Sequence, residues 1–190
     1  IFSFLILIEK MDLFTVALLI CLSSAHIFYG FIWIYPQKWI KITKLMNENK
    51  HPIDMMAFIA HIIKGIQIGS LFLWTFVVDS SEFSFYNVKL LQWIFGLSFI
   101  IFGQILNASV YKAIGKDGVY YGCRLGKKIP WVTGFPFNII SHPQYIGVIL
   151  CIWGTIIIVF TEKLYQRGII YVGIYWTFWY IFTIFAEDYL

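Results

Sequence analysis

Four groups of side chains in this sequence can move protons, hold charge or let backbone approach a ligand. The first lies in G-K-D-G-V-Y-Y-G-C-R-L-G-K-K-I-P-W-V-T-G-F-P-F-N-I-I-S-H-P-Q-Y-I-G, from Gly115 to Gly147. Gly115, Gly118 and Gly122 lack a Cβ and can bring backbone against a ligand. Tyr120, Tyr121 and Tyr145 offer ring faces that attract cations. His142, just before Pro143, can donate, accept or exchange a proton near neutral pH. The second group is the pair Glu187 and Asp188, at the end of an apolar run. It reads either as two solvated charges at a membrane boundary or as an acidic clamp, because carboxylates accept strong charge-assisted hydrogen bonds.

The third group is His61, Lys64 and Gln67, at i, i+3 and i+6, within about 120° of one helical face. Lys64 inside an apolar run either snorkels or marks a site, since an ionisable group in a membrane is costly. The fourth is a stripe of Gly96, Gly103 and Asn107, with Gln104 and Tyr111 beside it. Helix packing accounts for Gly96, and Gly103 with Gln104 and Asn107 reads as a pocket wall. The glycines do not follow a strand, as a dinucleotide fingerprint requires. Cys21, Cys123 and Cys151 form neither a disulfide framework nor a metal-binding spacing, so no metal is expected.

The elements that must position these groups follow from composition. The 190 residues are 60% hydrophobic and 13% charged, against about 25% charged in soluble domains. Too few charges remain to cover a water-facing globule. Several runs reach the roughly 20 apolar residues that cross a bilayer. The expected fold is an all-α polytopic membrane bundle of about five spans, with residues 1–190 forming a single domain. The spans are Leu13 to Tyr35, Met55 to Val78, Leu90 to about Ala108, Tyr145 to about Thr161, and Ile169 to Ala186. A short connection carrying Glu162, Lys163 and Arg167 makes the last two an antiparallel hairpin. In the first span, Ser23, Ser24 and His26 read as helix-packing residues. The run Ile1 to Ile8 is too short to span. P-Q-K-W-I-K-I-T-K, from Pro36, spaces its lysines by three and suits a helix lying on anionic lipid.

Charge sets the orientation. Five spans place the first and third connections on one side, with nine basic residues, against four on the other. The positive-inside rule puts the richer side in the cytosol. That side also receives Glu187, Asp188, Gly103, Asn107, His61 and Lys64. Net charge of +4 is spread between spans, which orients a membrane protein and does not point to nucleic acid.

Val110 to Gly147, with F-G-Q-I-L-N at Phe102–Asn107, A-H-I-I-K-G-I-Q at Ala60–Gln67 and the P-Q-K-W of the first connection, resembles the phospholipid methyltransferase family. It is most similar to the plant-type phosphatidyl-N-methylethanolamine N-methyltransferase branch. The H-P-x-Y-x-G element alone is shared with isoprenylcysteine carboxyl methyltransferases and resembles a motif in sterol reductases. A prenylcysteine carboxyl methyltransferase or an NADPH-dependent sterol-type reductase is therefore the alternative. The resemblance implies S-adenosylmethionine as methyl donor, a phospholipid amine as acceptor and an endoplasmic reticulum membrane. It implies donor contacts at Gly103, Glu187 and Asp188, with Ile101 and Asp188 departing from the family's usual glycine and glutamate. With the glycines and tyrosines of the long connection, the expected cofactor set is Gly103, Gly115, Gly118, Tyr121, Gly122, His142, Glu187 and Asp188. His142, Tyr145 and Glu187 are expected to be catalytic. His61, Lys64, Asn107, Arg124 and Lys128 are expected to bind the lipid headgroup.

Overall fold

The computed structural model describes residues 12–78 and 84–189. Residues 1–11, and Asp79 and Glu82 of the second connection, lie outside them. Among the described residues seven α-helices follow in order: α1 Leu13–Ile34, α2 Pro36–Met46, α3 Pro52–Val78, α4 Leu90–Val119, α5 Pro143–Val159, α6 Glu162–Gln166 and α7 Ile169–Tyr189, with a 3-10 turn at Phe85–Asn87 before α4. Among the described residues there is no strand. Of these described helices, four, α1, α3, α4 and α7, are long and apolar enough to cross a membrane, and α5 is a shorter apolar one. This is the expected polytopic bundle.

Local chemistry sets the ends. Asp12 caps α1 by accepting from the Thr15 amide at 2.8 Å, and Arg167 stands 3.6 Å from the same carboxylate. The Thr15 amide, more than Arg167, holds the Asp12 carboxyl below its ordinary value. Pro36 ends α1 and starts α2 at its first position, where a missing N–H costs nothing. Helix α2 buries Trp39 and Thr43 and turns Lys38, Lys41 and Lys44 outward. The Trp39 indole donates to the Pro52 carbonyl at 3.1 Å, tying α2 to the start of α3. Ion pairs confirm the alternation of connections: Lys116 pairs with Asp54 on one face, and Arg167 with Asp12 on the other.

Helix α4 continues eleven residues beyond the expected end at Ala108, to Val119. It bends at Gly115, whose φ of 65° suits glycine. The polar composition of this last part concealed it, because it rises out of the apolar segment. So the stretch from Gly115 does not begin as a loop.

Helices α4 and α5 make the closest pairing. A Cβ on Gly103 would lie 2.3 Å from the Gly147 carbonyl oxygen, and one on Gly147 would lie 2.7 Å from that of Gly103. Gly96 and Gly154 meet the same way, at 2.8 and 2.6 Å. Two glycines seven apart on each helix thus let the backbones touch. The remaining helices complete an open ring. Helix α1 packs on α3 and α7, and α5 packs on α7 as well as α4. The expected hairpin of the last two spans is present as the α5–α7 pair. Helices α3 and α4 do not pack side by side; they face each other across a cavity.

Candidate functional site

That cavity has a volume of about 380 Å³, within the range of small-molecule sites. Its walls come from α3, α4, α5 and α7. His61, Lys64, Gln104, Asn107, Tyr111 and Tyr120 supply polar groups, and Ile68, Leu71, Ile100, Ile152 and Trp176 an apolar portion. The i, i+3, i+6 face of α3 is used in full. Gln67 is buried and donates to the Leu22 carbonyl at 2.7 Å, so it braces α3 on α1 while edging the cavity.

A second, smaller cavity of about 30 Å³ adjoins the first; the two share Lys64, Gln144, Val148 and Tyr180. His26, Tyr29, Tyr121, Tyr145 and Thr183 also line it. Beside it the Tyr121 and Tyr145 hydroxyls both donate to the same oxygen of Glu187. Burial pushes the Tyr121 phenol well above its ordinary value, so it remains a donor. The carboxylate of Glu187, at the end of α7, is thus fixed by α5 and by the segment after α4. Asp188 takes a different partner, the His142 Nε2 at 3.3 Å.

Several expected site residues stand elsewhere. Gly103 lines neither cavity, because its open side is filled by Gly147 and Cys151 of α5. Gly118 and Gly122 are closed off by Ile114 and by the Asp117 carbonyl. Gly115 is open but serves the bend in α4. His142 begins α5 and borders the Glu187–Asp188 pair without lining either cavity. Arg124 is engaged at 3.0 and 3.2 Å by the Trp33 carbonyl and sits 4.3 Å over the Trp33 ring. It caps the C-terminus of α1, where a cation is favoured, and does not face the cavity. Lys128 is exposed and away from both cavities. His61, Lys64, Asn107, Tyr121, Tyr145 and Glu187 are brought together. Among the described residues no His, Cys, Asp and Glu group could hold a metal ion.

The family model for phospholipid methyltransferases matches residues 91–190, more than half of the chain. The chain belongs to that family. It is 39% identical, over 126 residues, to a phosphatidyl-N-methylethanolamine N-methyltransferase of Arabidopsis thaliana, covering 65% of this chain and 66% of the relative. It is 31% identical over 115 residues to the Schizosaccharomyces pombe protein of the same name, covering 60% and 58%. It is 30% identical over 113 residues to phosphatidylethanolamine N-methyltransferase A of Dictyostelium discoideum, covering 57% and 50%. The chain thus spans between half and just under two thirds of these relatives' lengths. No solved structure matches it. Family membership implies a methyl donor and selects the methyltransferase reading over the sterol-type reductase.

The candidate site also contains residues that the sequence did not single out as ligands. Tyr29, Gln144, Tyr180 and Thr183 line the small cavity, and so does His26, read above as a packing residue. A signal was present on α7. Trp176, Tyr180, Thr183 and Glu187 are spaced by four, three and four, one helical stripe ending on the acid. On α1, His26 and Tyr29 are three apart.

Proposed function

We propose that this protein transfers methyl groups from S-adenosylmethionine to the amine of phosphatidyl-N-methylethanolamine and phosphatidyl-N-dimethylethanolamine. The site would face the cytosol in the endoplasmic reticulum membrane, as the basic first and third connections suggest. One observation carries the reading: Glu187, held by two tyrosine hydroxyls, stands beside a cavity that runs into apolar residues of membrane-spanning helices.

The residues fit that donor. A fixed carboxylate suits an amino group or ribose hydroxyls, and tyrosine faces suit a sulfonium cation. Glu187, with Asp188 next to it, would hold the polar groups, and Tyr121 and Tyr145 would flank the charge. When bound, S-adenosylmethionine supplies a methyl group activated on sulfur. The chain's own residues do the rest. Lys64, shared by both cavities, would bind the lipid phosphate. His61, Asn107 and Gln104 would hydrogen-bond the headgroup. Apolar residues of α3, α5 and α7 exclude water. Holding the reacting atoms in line can supply roughly 7–11 kcal/mol. The amine must be neutral to react, and its ordinary pKa resembles that of lysine, roughly 10. Desolvation in the cavity favours the neutral form.

The test supplies labelled donor to intact protein in bilayers containing phosphatidyl-N-methylethanolamine. Label should appear in the dimethylated lipid and then in phosphatidylcholine. Absence of label in every phospholipid offered would overturn the assignment.

A further inference from the structure

His26 is a tightly held polar group that the proposed reaction does not yet use. It is 7% exposed, and Trp179 and Tyr180 pack on its ring at 5.8 and 4.4 Å between centroids. Its Nδ1 lies 2.9 Å from the Thr183 hydroxyl. That hydroxyl already donates to the Trp179 carbonyl at 2.8 Å. A threonine has one proton to give, so Thr183 can only accept from His26. The tautomer follows from the network: Nδ1 carries the hydrogen, and Nε2 carries a lone pair. That Nε2 is buried and has no hydrogen-bond partner among the described residues. A buried acceptor left without a donor is unfavourable, and a ligand with an N–H would satisfy it. The residue lines the small cavity beside Tyr29, Tyr121, Tyr145 and Tyr180. A space of about 30 Å³, ringed by tyrosines, suits a methylated ammonium group.

We propose that His26 Nε2 accepts the proton of the lipid amine, and that it favours amines that still bear an N–H. This rests on the methyl-transfer reading above. In the step, the N–H bond of the headgroup ammonium breaks and its electron pair stays on the amine nitrogen. The proton forms a new bond to Nε2, giving an imidazolium that Thr183 holds at Nδ1. The amine is left neutral, with the lone pair that methylation requires. The proton passes to water when the headgroup withdraws, which accounts for the one proton released per methyl transferred. Lys64, on the same cavity wall, would draw in the lipid phosphate, whose negative charge compensates the imidazolium. The quaternary product has no N–H and loses the contact, so His26 also separates substrate from finished lipid. His142 cannot take this role from where it stands, outside both cavities.

Nitrogen NMR of the intact, histidine-labelled protein in lipid nanodiscs tests this without a variant. The chain has four histidines. One should appear as a neutral imidazole protonated at Nδ1 when no ligand is bound. Short-chain phosphatidyl-N-dimethylethanolamine should shift the Nε2 signal of that ring through a new hydrogen bond, and phosphatidylcholine of equal chain length should not. The His26→Gln variant keeps an acceptor near the Nε2 position but cannot hold a proton. Its kcat should fall by about 10²–10⁴-fold, with KM for the lipid within about threefold. A signal indifferent to both lipids, or to their N–H, overturns the proposal while methylation by the same preparation leaves the activity intact. A wild-type kcat in His26→Gln overturns it too. Failure of the wild type to methylate any phospholipid would instead remove the reading beneath it.

Discussion

The pairing of α4 with α5 gives the sharpest prediction, made on Gly103→Ala. A Cβ at this position would stand 2.3 Å from the Gly147 carbonyl oxygen and 2.7 Å from the Cys151 sulfur. The sulfur can swing away, but the carbonyl belongs to the α5 backbone. Restoring an ordinary contact of 3.4 Å requires the helices to part by about 1 Å. A gap of that size forfeits roughly a quarter to a half of the dispersion energy of the atoms along the seam. The expected loss is about 1–3 kcal/mol, the usual cost of overpacking. Gly65→Ala in α3 is the control. Nothing lies within 4 Å of its Cβ, so helix propensity should raise stability by about 0.5–1 kcal/mol. Unfolding in detergent, followed by tryptophan fluorescence, reads both variants, and donor binding is measured on the same samples. If Gly103→Ala unfolds like wild type yet loses donor affinity, the packing argument fails and Gly103 contacts the donor.

Three further outcomes are expected. Tyr121→Phe and Tyr145→Phe each remove one hydrogen bond to the Glu187 carboxylate, worth about 1.5–3 kcal/mol, or roughly 10–150-fold in donor KM. The double variant should cost less than the product of the two, because both hydroxyls share one oxygen; a multiplicative result would contradict the shared site. Arg124→Gln should lower stability by about 1–3 kcal/mol through the lost Trp33 contacts and leave lipid KM unchanged, whereas Lys64→Met should raise that KM about tenfold and Lys128→Met should not; steady-state kinetics on a lipid series decides. Asp12 has a lowered carboxyl pKa when folded, so its capping contribution is present above the ordinary carboxylate value and lost as pH falls through the folded one. The acid limb of the unfolding profile should therefore flatten in Asp12→Ala, by about 1 kcal/mol at most at an exposed cap; an unchanged limb would show that the cap contributes nothing.

The helices were legible because a span writes itself as a long apolar run, and Pro36 and Pro143 mark where two helices begin. The extension of α4 was hidden because residues 109–119 mix polar side chains with a glycine at the bend. The shared face of His61, Lys64 and Gln67 could be read because it is local, three residues at a time. The His26–Thr183 contact joins positions 157 apart, and no periodicity on either helix announces the other. Glycine spacing was visible on α4, but without its counterpart at Gly147 and Gly154 it could not distinguish a seam between helices from a wall around a ligand. Charge alone also left the place of Arg124 open. A guanidinium near a headgroup region suits phosphate and a helix terminus equally, and only the position of the Trp33 carbonyl separates the two.

The incomplete ring, with α3 and α4 apart, has an energetic consequence for anything that enters between them. A lipid arriving sideways keeps its tails in the leaflet and moves only its headgroup. Raising ten methylenes into water would cost about 8 kcal/mol, at roughly 0.8 kcal/mol each. An enzyme whose doorway lies in the plane of the membrane never meets that cost. In the proposed methyl transfer the acceptor lipid would be sampled at the surface density of the bilayer, so the rate should follow its mole fraction rather than its bulk concentration.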